Sequence, residues 1–363
     1  MKNRKYSLFV VLVLSVALFL AACGSSDDAK SDDKDNAEDA SDYSVGLVTD
    51  VGGVDDKSFN QSSWEGLQEW GEEHGLEEKE GYEYAQSDDE SDYLPNLNRF
   101  VRNDFNLIFG IGFMLEDGIN TIAEQHPDAN FAIVDSVVDQ PNVVSINFAD
   151  HEGSFLVGVA AALKTETDKV GFIGGVDSET INKFEAGFVA GVKSIDSSID
   201  VDVQYAGAFD AADDGKLIAS NMYNNDVDII YHSAGGTGNG VFAQAKDIKH
   251  NDPDRDVWVI GVDRDQYDEG VIDDHNITLT SMLKRVDVAV QEVSNMGMEG
   301  EFPAGETLEF SIEDDGIGIS LKNEDALTDD IVDAIDEWKE KIVNGDVDVP
   351  GNHEELEEFE ESL

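Results

Sequence analysis

The sequence predicts an α/β protein built as two similar lobes around a shared cleft. Three observations predict it. Short apolar runs alternate with longer amphipathic stretches, the pattern of parallel strands covered on both faces by helices. From Tyr43 onward the chain has about 320 residues, more than one hydrophobic core comfortably serves. A loop also echoes: GGVDDKSFNQSSWEGL at 52–67 is answered by GGVDSETINKFEAGF at 174–188, each after an apolar run and before a helical stretch.

The elements follow in order. Residues 45–48 (VGLV) read as a strand and 64–74 as a helix. Residues 107–110 (LIFG) are a strand, followed by a helix over 115–126. Residues 131–134 (FAIV) form a strand that stops at Asp135, and 151–165 a helix rich in small residues. The second lobe repeats the plan. Strand 170–173 precedes helix 181–194, strand 201–205 precedes helix 215–224, and strand 227–231 precedes helix 240–248. Residues 257–262 (VWVIGV) are a strand that stops at Asp263. The last stretch, 354–363, is mostly glutamate and reads as a polar terminal helix or a frayed tail.

The first residues carry an address. Lys2, Arg4 and Lys5 precede an apolar run over 8–22, too short for the roughly 20 residues of a membrane span. LAACG, ending at Cys23-Gly24, resembles the bacterial lipobox, cleaved before a cysteine that then carries lipid. Residues 1–22 are therefore expected to be a lipoprotein signal peptide and Cys23 the lipidated anchor. Residues 23–42 are Ser, Asp, Ala, Lys and Asn with almost nothing to bury, the composition of a disordered tether. Cys23 is the only cysteine, so a disulfide framework and a cysteine-based metal site are excluded.

Charge removes another class. Asp and Glu number 80 against 23 Lys and Arg, a net charge of −57. Phosphate repulsion excludes a nucleic-acid partner. The acids are spread along the chain, as in a solvated coat suited to high salt, where screening is strong. No calcium-loop spacing appears. The nearest approach, DPDRDV from Asp252, has Val257 where the sharp turn needs glycine.

The motifs point to binding without chemistry. GGVDDK, GGVDSE and GGTGNG (235–240) follow strands but match neither phosphate-loop pattern, and the first two place Asp where a phosphate would lie. Their glycines serve tight strand-to-helix turns. Asp50, Asp135 and Asp263 each end a strand. One such Asp is ordinarily a helix cap or a solvated loop acid. Three at the carboxyl ends of parallel strands are acceptors suited to sugar hydroxyls or the N–H groups of a base. Phe59, Phe184 and Phe209 lie in or beside these loops. Core packing is the usual fate of Phe, but rings on opposite walls would sandwich a planar ligand. Lys284, in LTSMLKRVDVAV, is a candidate donor to ligand oxygens, against the plainer reading of a solvated helix lysine. The seven His are scattered without H-E-x-x-H, and no G-x-S-x-G occurs. No enzyme, metal or cofactor is expected.

GLVTDVGGVDDKSFNQSSWEGL, KFEAGFVAGV, YAGAFD, SAGGTGNGVF, WVIGVDRDQ and TSMLKRVDVAV occur in the order seen in the basic-membrane-protein lipoproteins. The chain thus resembles the purine nucleoside receptor (PnrA-like) type of ABC-transporter solute-binding protein across nearly all of the domain. That resemblance implies the type I periplasmic-binding-protein fold: two Rossmann-like lobes, a hinge, and a ligand closed between them. It implies lobes over 43–165 and 166–290, with 291–363 crossing the hinge, returning to the first lobe and ending in the acidic helix. It also implies that Phe59 and Phe209 stack on a purine, while Asn60 and Asp135 bond the base edge with Asp50 nearby. Asp263 and Lys284 would hold ribose hydroxyls, and Phe184 and Gly236 would line the cleft. The implied partners are a purine nucleoside and an ABC permease, at the extracellular face of the membrane. The alternatives are the same fold sensing a sugar or signalling molecule, and a nucleoside-processing enzyme.

Overall fold

The computed structural model describes residues 43–363. The expected signal peptide, Cys23 anchor and tether lie outside the described residues.

The first sheet takes strands β1 (Val45–Thr49), β2 (Tyr82–Ala85), β3 (Leu107–Ile111), β4 (Asn130–Val134) and β5 (Val143–Phe148). The second takes β6 (Lys169–Gly174), β7 (Asp200–Tyr205), β8 (Ile229–Ser233) and β9 (Trp258–Asp263). A small antiparallel hairpin, β10 (Val271–Ile272) and β11 (His275–Asn276), precedes β12 (Thr278–Lys284), which joins the second sheet. Two late strands close the edges: β13 (Thr307–Phe310) in the first sheet and β14 (Ile317–Ile319) in the second. The orders are β13-β5-β4-β3-β1-β2 and β14-β12-β9-β8-β6-β7, so each lobe repeats the other strand for strand. Every pairing within the two sheets is parallel except β12 with β14. Central strands such as β1 and β3 are buried at every residue, because helices cover both faces.

The helices are α1 (Phe59–Glu73), α2 (Tyr93–Arg102), α3 (Glu116–Gln125), α4 (Asp150–Lys164), α5 (Glu179–Ile195), α6 (Ala212–Asn224), α7 (Gly238–Asn251), α8 (Val286–Met298), α9 (Asp329–Val343) and α10 (His353–Ser362). Their packing moves the lobe boundaries away from the expected 165 and 290. The chain leaves the first sheet after β5, and α4 packs on α5 and on β12 of the second lobe. Gly187 and Gly191 allow this. A Cβ there would lie 2.1 Å from the carbonyl oxygens of His151 and Phe155 on α4. The chain returns after β12, and α8 packs on α1 of the first lobe. It crosses a third time between β13 and β14. The crossings are thus at Ala149, at Arg285 and over 311–316. The acidic C-terminal stretch is a docked helix and not a frayed tail. Asn352 caps α10, its side chain accepting from Glu355 N at 2.9 Å. Leu356 is buried, and the Phe359 ring meets that of Phe155 on α4 with centroids 6.4 Å apart.

Candidate ligand-binding cleft

The carboxyl ends of both sheets face one another, and the expected site residues collect there. Asp50 follows β1, Asp135 follows β4, Asp263 ends β9 and Lys284 ends β12. Phe59 and Asn60 open α1, Phe184 lies on α5, Phe209 follows β7 and Gly236 follows β8. All nine line one cleft, with about 510 Å³ of space between its walls including a part open to solvent. This is the place where open α/β sheets hold ligands. Asp135 and Asp263 occupy equivalent positions in the two lobes and share a left-handed backbone, with φ of 66° and 68°. Asp tolerates that conformation better than most residues.

Lys284 is the electrostatic centre. Its ammonium is buried, 2.6 and 2.8 Å from the two oxygens of Asp135 and 3.1 Å from Asp150 Oδ1. The rings of Phe59, Phe148 and Phe184 lie 5.0–5.4 Å from it. Burial works to lower its pKa, but Asp135, Asp150 and Asp263 outweigh burial and hold it above the ordinary lysine value. The plainer reading of Lys284 as a solvated helix lysine is therefore corrected: it ends a strand and is buried. Asp135, expected on the base edge, has both oxygens on this ammonium.

The carboxyls crowd one another. Burial raises Asp263 to about 7, with Lys284 and the Ser58 hydroxyl pulling the other way. Burial raises Asp50 to about 6 against hydrogen bonds from Asn60 and Gly52, and raises Asp150 to about 6 against the pull of Lys284. Asp56, also buried, is raised from the usual carboxylate value by the same cause.

Asp56 organises the first loop. Its carboxylate accepts from the backbone N–H groups of Ser58 and Asn60 at 2.9 Å and of Gln61 at 3.1 Å, capping α1 from outside. The Asn60 amide donates to Asp50 at 2.7 Å and to Asp56 at 3.2 Å. Facing two carboxylates, that end must be the NH₂. Asn60 Oδ1 is consequently a buried acceptor without a hydrogen-bond partner. Glycine keeps the adjoining space open. A Cβ on Gly112 would lie 2.9 Å from Asp50 Oδ2 and 3.5 Å from the Phe59 ring.

The second lobe adds rings. Phe209 packs over Gly175, where a Cβ would lie 2.3 Å from the ring. Across the cleft, Phe113 of the first lobe meets Phe209 edge-on, with centroids 6.2 Å apart. Sequence reasoning missed Phe113, Asp56 and Asp150. Phe113 hides in the apolar run GIGFML, and both acids look like ordinary loop or cap residues.

The lobes touch directly. Ser58 donates to Asp263, Gln266 Nε2 to the Lys57 carbonyl at 2.8 Å, and Asn239 Nδ2 to the Asp56 carbonyl at 3.0 Å. At the rim Arg264 pairs with Glu65 at 2.9 Å. These contacts hold the two lobes against one another beside the cleft.

A family model described as ABC transporter substrate-binding protein PnrA-like (Bmp) matches residues 43–353. The chain belongs to the Bmp family. Bmp proteins are substrate-binding components of ABC transporters and not enzymes. The chain is 50% identical over 359 residues to the CD4+ T-cell-stimulating antigen of Listeria innocua, covering 96% of this chain and 99% of that protein. It is 43% identical over 357 residues to the ABC transporter nucleoside-binding protein BmpA of Lactococcus lactis, with the same coverage of both chains. A solved ABC-transporter solute-binding protein from Aeropyrum pernix superposes with a TM-score of 0.77 at 25% identity, covering 88% of this chain and 98% of that one. This Bmp chain therefore has the two-lobed fold of periplasmic binding proteins.

Proposed function

We propose that this Bmp protein captures purine nucleosides, of the guanosine, adenosine and inosine class, outside the cell and passes them to an ABC permease. Lipid on Cys23 holds it at the extracellular face of the membrane. Among the described residues no helix is long and apolar enough to cross one. The observation that carries the reading is Asn60: its NH₂ is spent on Asp50 and Asp56, leaving an unpaired buried acceptor on a residue that lines the cleft together with Phe59. A flat base with N–H groups on its edge fits an acceptor next to a ring. The nucleoside-binding name of the Lactococcus relative supports the same class.

In this scheme Phe59 stacks from the first lobe and Phe209 from the second. Asn60 and Asp50 accept from the base edge, and Asp135 steadies Lys284 beside it. Asp263 and Lys284 meet the ribose hydroxyls, while Phe184 and Gly236 complete the walls. A phosphate is disfavoured by the carboxyls of Asp50, Asp56, Asp135 and Asp263, which all line the cleft. Contacts from both lobes stabilise the closed form over the open one, and the closed form is what the permease reads. Native mass spectrometry of the purified protein tests this. A bound mass matching a purine nucleoside is expected, and a sugar in its place overturns the reading.

A further inference from the structure

The turn at Asp56–Lys57–Ser58 is gripped from across the cleft in a way that ligand contacts do not explain. Gln266 lies behind the cleft and is 1% exposed. Its Oε1 accepts from Val262 N at 3.0 Å and stands 3.1 Å from His232 Nε2. Its Nε2 must then be the end that donates to the Lys57 carbonyl, as observed. That arrangement fixes the tautomer: His232 carries its proton on Nε2 and leaves Nδ1 bare, and Nδ1 is indeed without a partner. Burial lowers the His232 pKa to about 4, so the ring is neutral and the bond has a fixed direction near pH 7. The amide is thus rigidly aimed at the first lobe. Asn239, in the first turn of α7, reaches the neighbouring Asp56 carbonyl.

The gripped turn is itself unusual. Lys57 has φ of 66°, a left-handed backbone that costs a non-glycine residue free energy. Ser58 occupies the helix-cap position of α1 but makes no side-chain cap bond. Asp56 caps the helix in its place, which frees the Ser58 hydroxyl to reach Asp263. The same turn therefore shapes Asn60 through Asp56 and places a hydroxyl on Asp263.

We infer that Gln266 and Asn239 are positioning residues that latch the 56–58 turn when the lobes shut, tying the binding shape of Asp56, Ser58 and Asn60 to closure. They act through the turn and not on the ligand, since neither lines the cleft. The inference rests on the nucleoside reading for its ligand but not for its geometry.

The test uses the full mature domain with Asn239→Ala and Gln266→Leu. Stopped-flow binding of guanosine should show faster dissociation, about fivefold for Asn239→Ala and about tenfold for Gln266→Leu, with association nearly unchanged. Ligand-free melting of Asn239→Ala should match wild type, which separates a latch from general damage if Gln266→Leu folds poorly. Wild-type dissociation rates in Asn239→Ala overturn the inference. If wild type binds none of guanosine, adenosine and inosine, the nucleoside reading falls, and the latch is read from the ligand-free protein by spin-label distances between the lobes. A smaller closed fraction in Asn239→Ala supports the latch, and an equal one overturns it.

Discussion

Replacing Lys284 by Met shortens the unbranched side chain by one heavy atom and removes the only cation within ion-pairing distance of Asp135 and Asp150 among the described residues. Leaving a buried charge unpaired costs about 3–5 kcal/mol. The deficit should depend on pH, and its sign follows from the carboxyls. Asp150 and Asp263 already sit at about 6 and about 7, with Lys284 pulling both down. Without Lys284 they rise further. A carboxyl whose folded pKa exceeds its unfolded value adds stability at low pH and loses it as pH rises through the folded pKa. The variant should therefore lose the full ~3–5 kcal/mol at pH 8 and only about 1–2 kcal/mol at pH 5, where protons replace the missing ammonium. Urea unfolding followed by circular dichroism, at both pH values and one fixed salt concentration, measures the difference. A deficit equal at pH 5 and pH 8, or absent at pH 8, would refute the buried-charge account.

Three further outcomes follow from the cleft. Phe59→Ala should weaken nucleoside binding by about 2–4 kcal/mol through lost stacking and burial, read by calorimetry. Asp263→Ala should weaken nucleosides far more than free purine bases; equal losses for both would remove its assignment to the ribose. Gly175→Val should push the Phe209 ring from its seat, since a Cβ there would lie 2.3 Å from it, and reduce affinity about tenfold while the melting temperature changes little.

The site was more legible than the framework around it. Strand-end acids and loop aromatics stand out because their neighbours are apolar or glycine, and all nine expected residues line the cleft. The strands β2, β13 and β14 escaped notice because they are edge strands of only three or four residues, YEYA, TLEF and IGI, too short for a pattern to show. β12 escaped for another reason. Its TLTSMLK is buried at six of seven positions, yet Thr and Ser alternate there with apolar residues as on a half-exposed strand. The lobe boundaries were invisible because α4 and α8 follow strands of one lobe and pack on the other. Nothing local distinguishes Ala149 or Arg285 as crossings. Asp150 was missed for the same reason, since its role exists only once β12 brings Lys284 beside it.

The central claim is that the cleft takes a purine nucleoside. Isothermal titration of the mature domain with guanosine, adenosine, inosine, ribose and guanosine monophosphate tests it most directly. The account predicts one nucleoside per chain, with weak or no binding of ribose and of the monophosphate. Heat with ribose and none with any nucleoside would contradict it.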